Sequence, residues 1–300
     1  MQQISDVIAG GCDYLISKQH LDGYWCDFEL PTGKSDAWVT AFVALSLTHA
    51  NVNVQSKKIT EAIRCAIQWL VSHRDYASGW GYNRITGADA DTTAYVLTLL
   101  RENDYPMNRN DVAFLVSLQC PCGGFSTYAE KSAWGQPHPD VTPVAFVALQ
   151  GSKTDSLTEE VMVHYLDENQ WAPGFWPSYW WKNCFYSSYH NLKLSIDLGA
   201  IDRPKSLGLP TGDGFAVESA FDLAWLTATA SLYSDKAYGV VLSEELILLQ
   251  QPEGYWEGAG NLRVTDPACI SPWINPVGKY YVDFQHSITT ASAVWALSLH

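Results

Sequence analysis

Apolar positions along this chain fall into two alternating kinds of segment. In one kind they recur three or four residues apart with charge between them, as in Ala62-Ile63 to Trp69-Leu70 and Phe114-Leu115 to Leu118. That spacing predicts helices with one wet face. Thr60-Glu61 and Ser156-x-x-Glu159 are credible starts for two of them. In the other kind charge all but vanishes: Ala37 to Leu47, Thr93 to Leu100, Val141 to Leu149 and Ile288 to Leu299. A helix apolar on every side must be covered on every side. Stretches from about Ser187 to Leu198 and from Gly214-Phe215 to Leu232 continue the alternation. It predicts outer helices around inner ones, an all-α fold in which a single α/α toroid of two concentric layers forms one domain over residues 1–300. No β signal of comparable length is visible.

The loops between the two kinds repeat. Gln19-x-x-x-Gly23-x-Trp25, Gln170-x-x-x-Gly174-Phe175-Trp176 and Gln250-x-x-x-Gly254-x-Trp256 share one pattern, with Gly79-Trp80 and Gly123-Gly124-Phe125 as shorter copies. Each glycine permits a tight exit from an outer helix, and the Gln and Trp can brace it. The starts of the inner helices then fall at one end, which brings Asp36, Asp91, Asp140 and His286 towards each other.

One of those starts carries the strongest chemical signal, Asp89-Ala90-Asp91-Thr92-Thr93-Ala94. Asp89 is a natural N-cap, which puts Asp91, Thr92 and Thr93 in the first turn. Trp80 and Tyr82 lie just upstream, so the acids are expected beside aromatic rings. A carboxyl at the mouth of an apolar cavity suits acid catalysis. The same pattern also describes an ordinary capped helix.

Composition sharpens the picture. The chain has 13 Trp, 16 Tyr and 10 Phe but only 17% charged residues, so it has a large apolar surface to bury or a cavity to line. A net charge of −14 disfavours nucleic acid and anionic membranes, and argues mildly against a substrate held by several phosphates. No signal peptide and no apolar run long enough to span a bilayer is visible. Seven scattered cysteines read as reduced thiols of a cytoplasmic protein, and Cys120-Pro-Cys122 is too closely spaced for a zinc pair. No metal or other cofactor is expected. The oligomeric state is left open by the sequence.

The Gln-x-x-x-Gly-x-Trp repeats and Asp89-x-Asp91-Thr92-Thr93-Ala94 together resemble the class II terpene cyclases of the squalene–hopene cyclase superfamily. The resemblance covers most of the chain, from about Asp13 to Leu299. The length, room for one helical domain, and Thr92 in place of the commoner third acid look like the single-domain cyclases of bacterial meroterpenoid pathways. The resemblance implies protonation of a terminal alkene and a cation running along a small-molecule polyprenyl substrate, carried on an aromatic or other non-phosphate head. Asp91 would be the general acid, oriented by Asp89, with Thr92 beside them. Tyr82 and Tyr128 match positions that stabilise cations. A histidine that supports the acid in hopene cyclases is Val144 here; His138 is near in sequence and is a candidate substitute. Transient contact with a membrane would let a chain with no span collect so apolar a substrate.

The chemistry makes independent sense. Desolvation keeps a carboxyl protonated, while a helix N-terminus strengthens it as an acid. Ring faces stabilise cations without adding to them. Trp38, Trp134, Trp180, its neighbour Trp181, Tyr189 and Phe284 are candidate wall residues on placement alone; ordinary core packing is the alternative for each. His286 is a candidate terminating base or head-group contact, or a structural histidine. Rival functions are a class II cyclase of a prenyl diphosphate, a zinc-dependent protein prenyltransferase subunit using Asp266, Cys269 and His286, an α/α-barrel glycosidase using Asp36 or Asp140 as base, and a binding toroid without catalysis.

Overall fold

A computed structural model describes residues 4–74, 78–152, 159–212, 214–274 and 277–300. The helix start expected at Ser156 lies outside them. The nearly charge-free segments become α2 (Ala37–Val54), α4 (Ala90–Glu102), α6 (Thr142–Leu149), α8 (Phe185–Asp197), α9 (Ala220–Ser231) and α11 (Ser287–Leu297). They pack in a cycle: α2 on α4, α4 on α6, α6 on α8, α8 on α9, α9 on α11 and α11 back on α2. The amphipathic segments are α1 (Ile4–Lys18), α3 (Lys57–Ser72), α5 (Arg109–Ser117), α7 (Glu159–Glu168) and α10 (Ala237–Leu248). α3 shows why they lie outside. Ile59, Ala62, Ile63, Ala66, Ile67 and Leu70 share one buried stripe, and the charged residues take the other face. Every residue of α9 from Ala220 to Ala230, by contrast, is buried.

The recurring loop has one hydrogen-bond scheme. The indole N–H of Trp25 donates to Leu15 O, that of Trp80 to Leu70 O, that of Trp176 to Leu166 O and that of Trp256 to Leu246 O, each at 2.7 Å. Each bond satisfies a carbonyl near the end of an outer helix. The aromatic residue's backbone N–H then donates to a hydroxyl on the next inner helix: Thr40, Thr93, Thr142, Ser188 or Thr290. One side chain therefore fastens the outer layer, and one hydroxyl fastens the inner layer to it.

The glycines set how closely units stack. At Gly23, φ is +101° and an added Cβ would lie 2.6 Å from Cys65 O on α3. At Gly254, φ is +95° and the same atom would lie 2.4 Å from Gly10 O on α1. Gln19 Nε2 donates to Ala62 O, and Gln250 Nε2 donates to Val7 O. The last unit thus meets the first by the contact that joins the first to the second.

The body is helix-rich as expected, but the all-α expectation needs a correction. Among the described residues are two antiparallel hairpins, β1 (Asp27–Leu30) with β2 (Gly33–Ser35), and β3 (Gly260–Val264) with β4 (Lys279–Val282). β1 also packs against β4, so the hairpins lie side by side. Two buried carboxylates tie this region to α11. Asp27 accepts from the N–H groups of Phe28, Gln285 and Ser287, and Asp283 from those of Ala259 and Thr289. No described helix is long and apolar enough to cross a membrane.

Candidate active site

Asp89 is extended (φ −130°, ψ 162°) and caps α4. Its Oδ1 accepts from Thr92 N at 2.7 Å and its Oδ2 from the Thr92 hydroxyl at 3.0 Å. A third acid at Thr92 would repel this carboxylate, whereas the hydroxyl donates to it. Thr93 has a different task, since its hydroxyl binds the backbone of Trp80 within the repeat scheme. Of the two threonines, Thr92 alone faces the acids.

Asp91 sits in the first turn of α4 and touches the cavity, but its Oδ1 is sealed by protein and has no hydrogen-bond partner. Its Oδ2 accepts from the indole N–H of Trp38 at 2.6 Å. Burial, followed by the charges of Asp89 and Asp140, pushes its pKa well above the ordinary carboxyl value; the Trp38 bond opposes this. Burial raises Asp89 to about 7, held back by the bonds from Thr92. Burial and the neighbouring carboxylates thus favour the protonated form of Asp91, whereas the Thr92 bonds favour the ionised form of Asp89. Asp140 accepts from Tyr179 N and Trp180 N at 2.9 and 2.7 Å, and burial raises it to about 6.

Above the acids lies a cavity of about 320 Å³. Of the sequence-derived candidates it gathers Trp38, Tyr82, Tyr128, Trp134, Trp180, Trp181, Asp89, Asp91 and Thr92. The wall rings fall into two touching groups, with centroids 5.9 Å apart for Tyr128–Trp134 and 5.5 Å for Trp134–Trp180 in one, and 5.7 Å for Trp38–Trp181 in the other. Burial, then the charges of Asp89 and Asp91, keeps the Tyr128 phenol un-ionised. Phe28, Leu262, Val264 and Tyr281 from the hairpins, together with Thr127, also line it and were not singled out from sequence. The alternation of Leu262 and Val264 about Arg263 was the signal available for β3.

Three candidates lie elsewhere. Tyr189 lines a second cavity of about 350 Å³ with Tyr95, His190 and Trp295. Phe284 is 38% exposed, and the Lys34 ammonium sits over its ring. His286 caps α11, accepts from Gly258 N through Nδ1 at 2.9 Å and stacks on Tyr255, away from the acids. Its αL backbone (φ 56°) turns the chain into the helix instead of directing the ring to the cavity. Asp36 caps α2 and pairs with Arg84, outside the cavity wall. Val144 borders the second cavity. His138 does not contact Asp91: its nitrogens meet the Thr127 hydroxyl and Ala133 O. Among the described residues no three His, Cys, Asp or Glu side chains are gathered as metal ligands would be.

No protein-family model matches the chain, and no curated protein is significantly similar to it. Solved structures are similar to it over nearly its whole length. The type II terpene cyclase MstE from Scytonema, complexed with geranylgeranyl dihydroxybenzoate as substrate, superposes with a TM-score of 0.82 at 23% identity, over 99% of this chain and 97% of that one. A protein from Actinoplanes matches with a TM-score of 0.82 at 24% identity over 99% of both chains. ent-Copalyl diphosphate synthase from Streptomyces platensis matches at 0.61 and 15% identity, over 88% of this chain and 50% of its own. This chain has the fold of the type II terpene cyclases.

Proposed function

We propose that this protein is a class II terpene cyclase that folds a linear polyprenyl chain, carried on an aromatic head, and cyclises it by protonation. The observation that carries this reading is Asp91: a carboxyl bonded to the Trp38 indole at the wall of an aromatic cavity, where burial favours its protonated form. The terminal alkene takes the Asp91 proton, with the π electrons forming the new C–H bond. The neighbouring carbon becomes a cation and is attacked by the next alkene. The Asp91 carboxylate left behind is stabilised by the Trp38 N–H and by the start of α4. Ring faces of Tyr82, Tyr128, Trp134 and Trp180 would each stabilise passing cations by about 2 kcal/mol when water is excluded.

The cycle of inner helices is the inner layer of a single-domain α/α toroid in this reading, and the recurring loops are its Gln/Trp-type repeats. The cytoplasm is the compartment that the scattered cysteines favour. MstE binds geranylgeranyl dihydroxybenzoate and yields merosterolic acid A, which supports a meroterpenoid substrate here. No Lys or Arg lines the cavity among the described residues, and this favours a head without phosphate. The test is to incubate the protein with geranylgeranyl dihydroxybenzoate and, separately, geranylgeranyl diphosphate, each with and without chelator. Cyclisation of the first, unaffected by chelator, is expected. Turnover of the diphosphate alone, or loss of activity with chelator, would overturn the proposal.

A further inference from the structure

A protonation-initiated cascade that yields an alkene ends by losing a proton, and His286, the candidate taken from sequence, lies away from the cavity. We propose that Thr127 and His138 form the base that ends the cascade, an inference that rests on the cyclase reading above. Thr127 lines the cavity, and its carbonyl accepts from Ala90 N at 3.0 Å, which locks it beside the start of α4.

Three hydrogen bonds fix where the protons are. Ala133 O can only accept, so His138 Nε2, 2.9 Å away, carries a hydrogen. His138 is 2% exposed, and burial lowers its pKa to about 3, so the ring is neutral. Its Nδ1 is then bare and accepts from the Thr127 hydroxyl at 2.7 Å. The Trp180 indole can only donate, and it gives its N–H to Thr127 Oγ1 at 2.8 Å. One lone pair of Oγ1 stays uncommitted on a residue of the cavity wall. Tyr179 stacks on the imidazole with centroids 3.8 Å apart and keeps the ring in register.

In the final step a C–H bond beside the last cation breaks and its electron pair becomes the new C=C bond. The proton goes to Thr127 Oγ1, and the hydroxyl's own proton moves to His138 Nδ1. The products are an alkene, an intact threonine and an imidazolium. The proton returns through Thr127 and a water molecule, admitted as product leaves, to the Asp91 carboxylate, so the cycle neither gains nor loses a proton. A weak base is the right one here. A carbocation is acidic enough to protonate it, while a stronger base would be protonated beforehand and unable to accept.

Thr127 is the catalytic residue of the pair and His138 positions and relieves it. The experiment compares wild type, Thr127→Val, Thr127→Ser and His138→Gln on geranylgeranyl dihydroxybenzoate, with product analysis and thermal melting. Thr127→Val keeps the shape, so it should still consume substrate. The wild-type alkene should fall about 10-fold or more as a share of product, replaced by alcohols from water capture and by isomeric alkenes. Thr127→Ser should restore the alkene, and His138→Gln, where it folds, should shift products as Thr127→Val does. A folded Thr127→Val protein that makes the wild-type alkene in the wild-type proportion overturns the proposal. So does one that consumes no substrate, because the role would then precede protonation, and so does a wild-type product that is itself an alcohol. If wild type cyclises neither this substrate nor the diphosphate, the cyclase reading fails first and takes the base with it.

Discussion

Two cavities of nearly equal size, about 320 and 350 Å³, lie at opposite ends of the same inner helices. On α4, Asp91 belongs to the first and Glu102 to the second; on α2, Trp38 and His49 divide in the same way. Trp38, Phe42, Tyr95, Tyr186 and Trp225 pack edge and face between them. The chemistry differs sharply. At the second end the polar groups already have partners, His49 with Glu102 at 2.9 Å and Lys193 with Asp197 at 2.6 Å. At the first, carboxyls face rings and backbone donors, and one oxygen of Asp91 has no partner. Volume does not mark a site; an uncompensated acid in an aromatic enclosure does. Helix N-termini also favour a carboxylate, and so strengthen its acid, at the first end only.

Asp91→Asn should break this contrast most completely. It keeps the shape but removes the proton, so cyclisation should fall by about 10²- to 10⁴-fold with the melting temperature retained; normal turnover by the folded variant would remove Asp91 as the acid. Trp38→Phe comes next. It removes the bond that stabilises the Asp91 carboxylate, worth about 1.5–3 kcal/mol, so single-turnover cyclisation should slow by about 10- to 100-fold.

The pH dependence of stability sharpens the contrast from the thermodynamic side. Asp140 is raised to about 6 and Asp89 and Asp283 to about 7, all by burial. An acid with a raised folded pKa stabilises fully below its unfolded value and loses that contribution as pH climbs through the folded one. Above about pH 7, where the buried His138 and His190 (lowered to about 3) are neutral folded or unfolded, melting temperature should therefore fall towards about pH 8, one unit above Asp89 and Asp283, and calorimetry showing a rise there would contradict the burial of these acids. The smallest effect belongs to the second end. His49→Ala should leave turnover within about twofold and cost about 0–1 kcal/mol, as half-exposed pairs do.

The acid motif and the inner helices were legible because each leaves a local trace: a cap at Asp89, absence of charge from Ala37 to Leu47. Depth was not legible. Tyr189 lies in the first turns of α8, and one helical turn is about 5.4 Å along the axis, enough to place it on the far side of the aromatic partition. The hairpins were missed because their strands are three to five residues long with irregular register, shorter than any periodicity needs to declare itself. Phe28 and Tyr281 are consequently wall residues that only tertiary structure reveals. His286 failed for another reason, since helix starts share an end of the molecule without sharing a cavity.

The seam at Gly254 and Gly10 bears on how the chain folds during synthesis. The Gln250 side chain reaches the carbonyl of Val7, 243 residues away, and α1 rests on α11, so α1 has lasting neighbours that are made much later than itself. Until residues near 290 have left the ribosome, α1 and one flank of α2 present apolar surface to solvent. Such distant pairings slow folding and lengthen the period in which a nascent chain is open to aggregation. Chaperone dependence, and insoluble protein on slow translation of α10 and α11, would be the cellular trace of a cavity whose rim is drawn from both halves of the sequence.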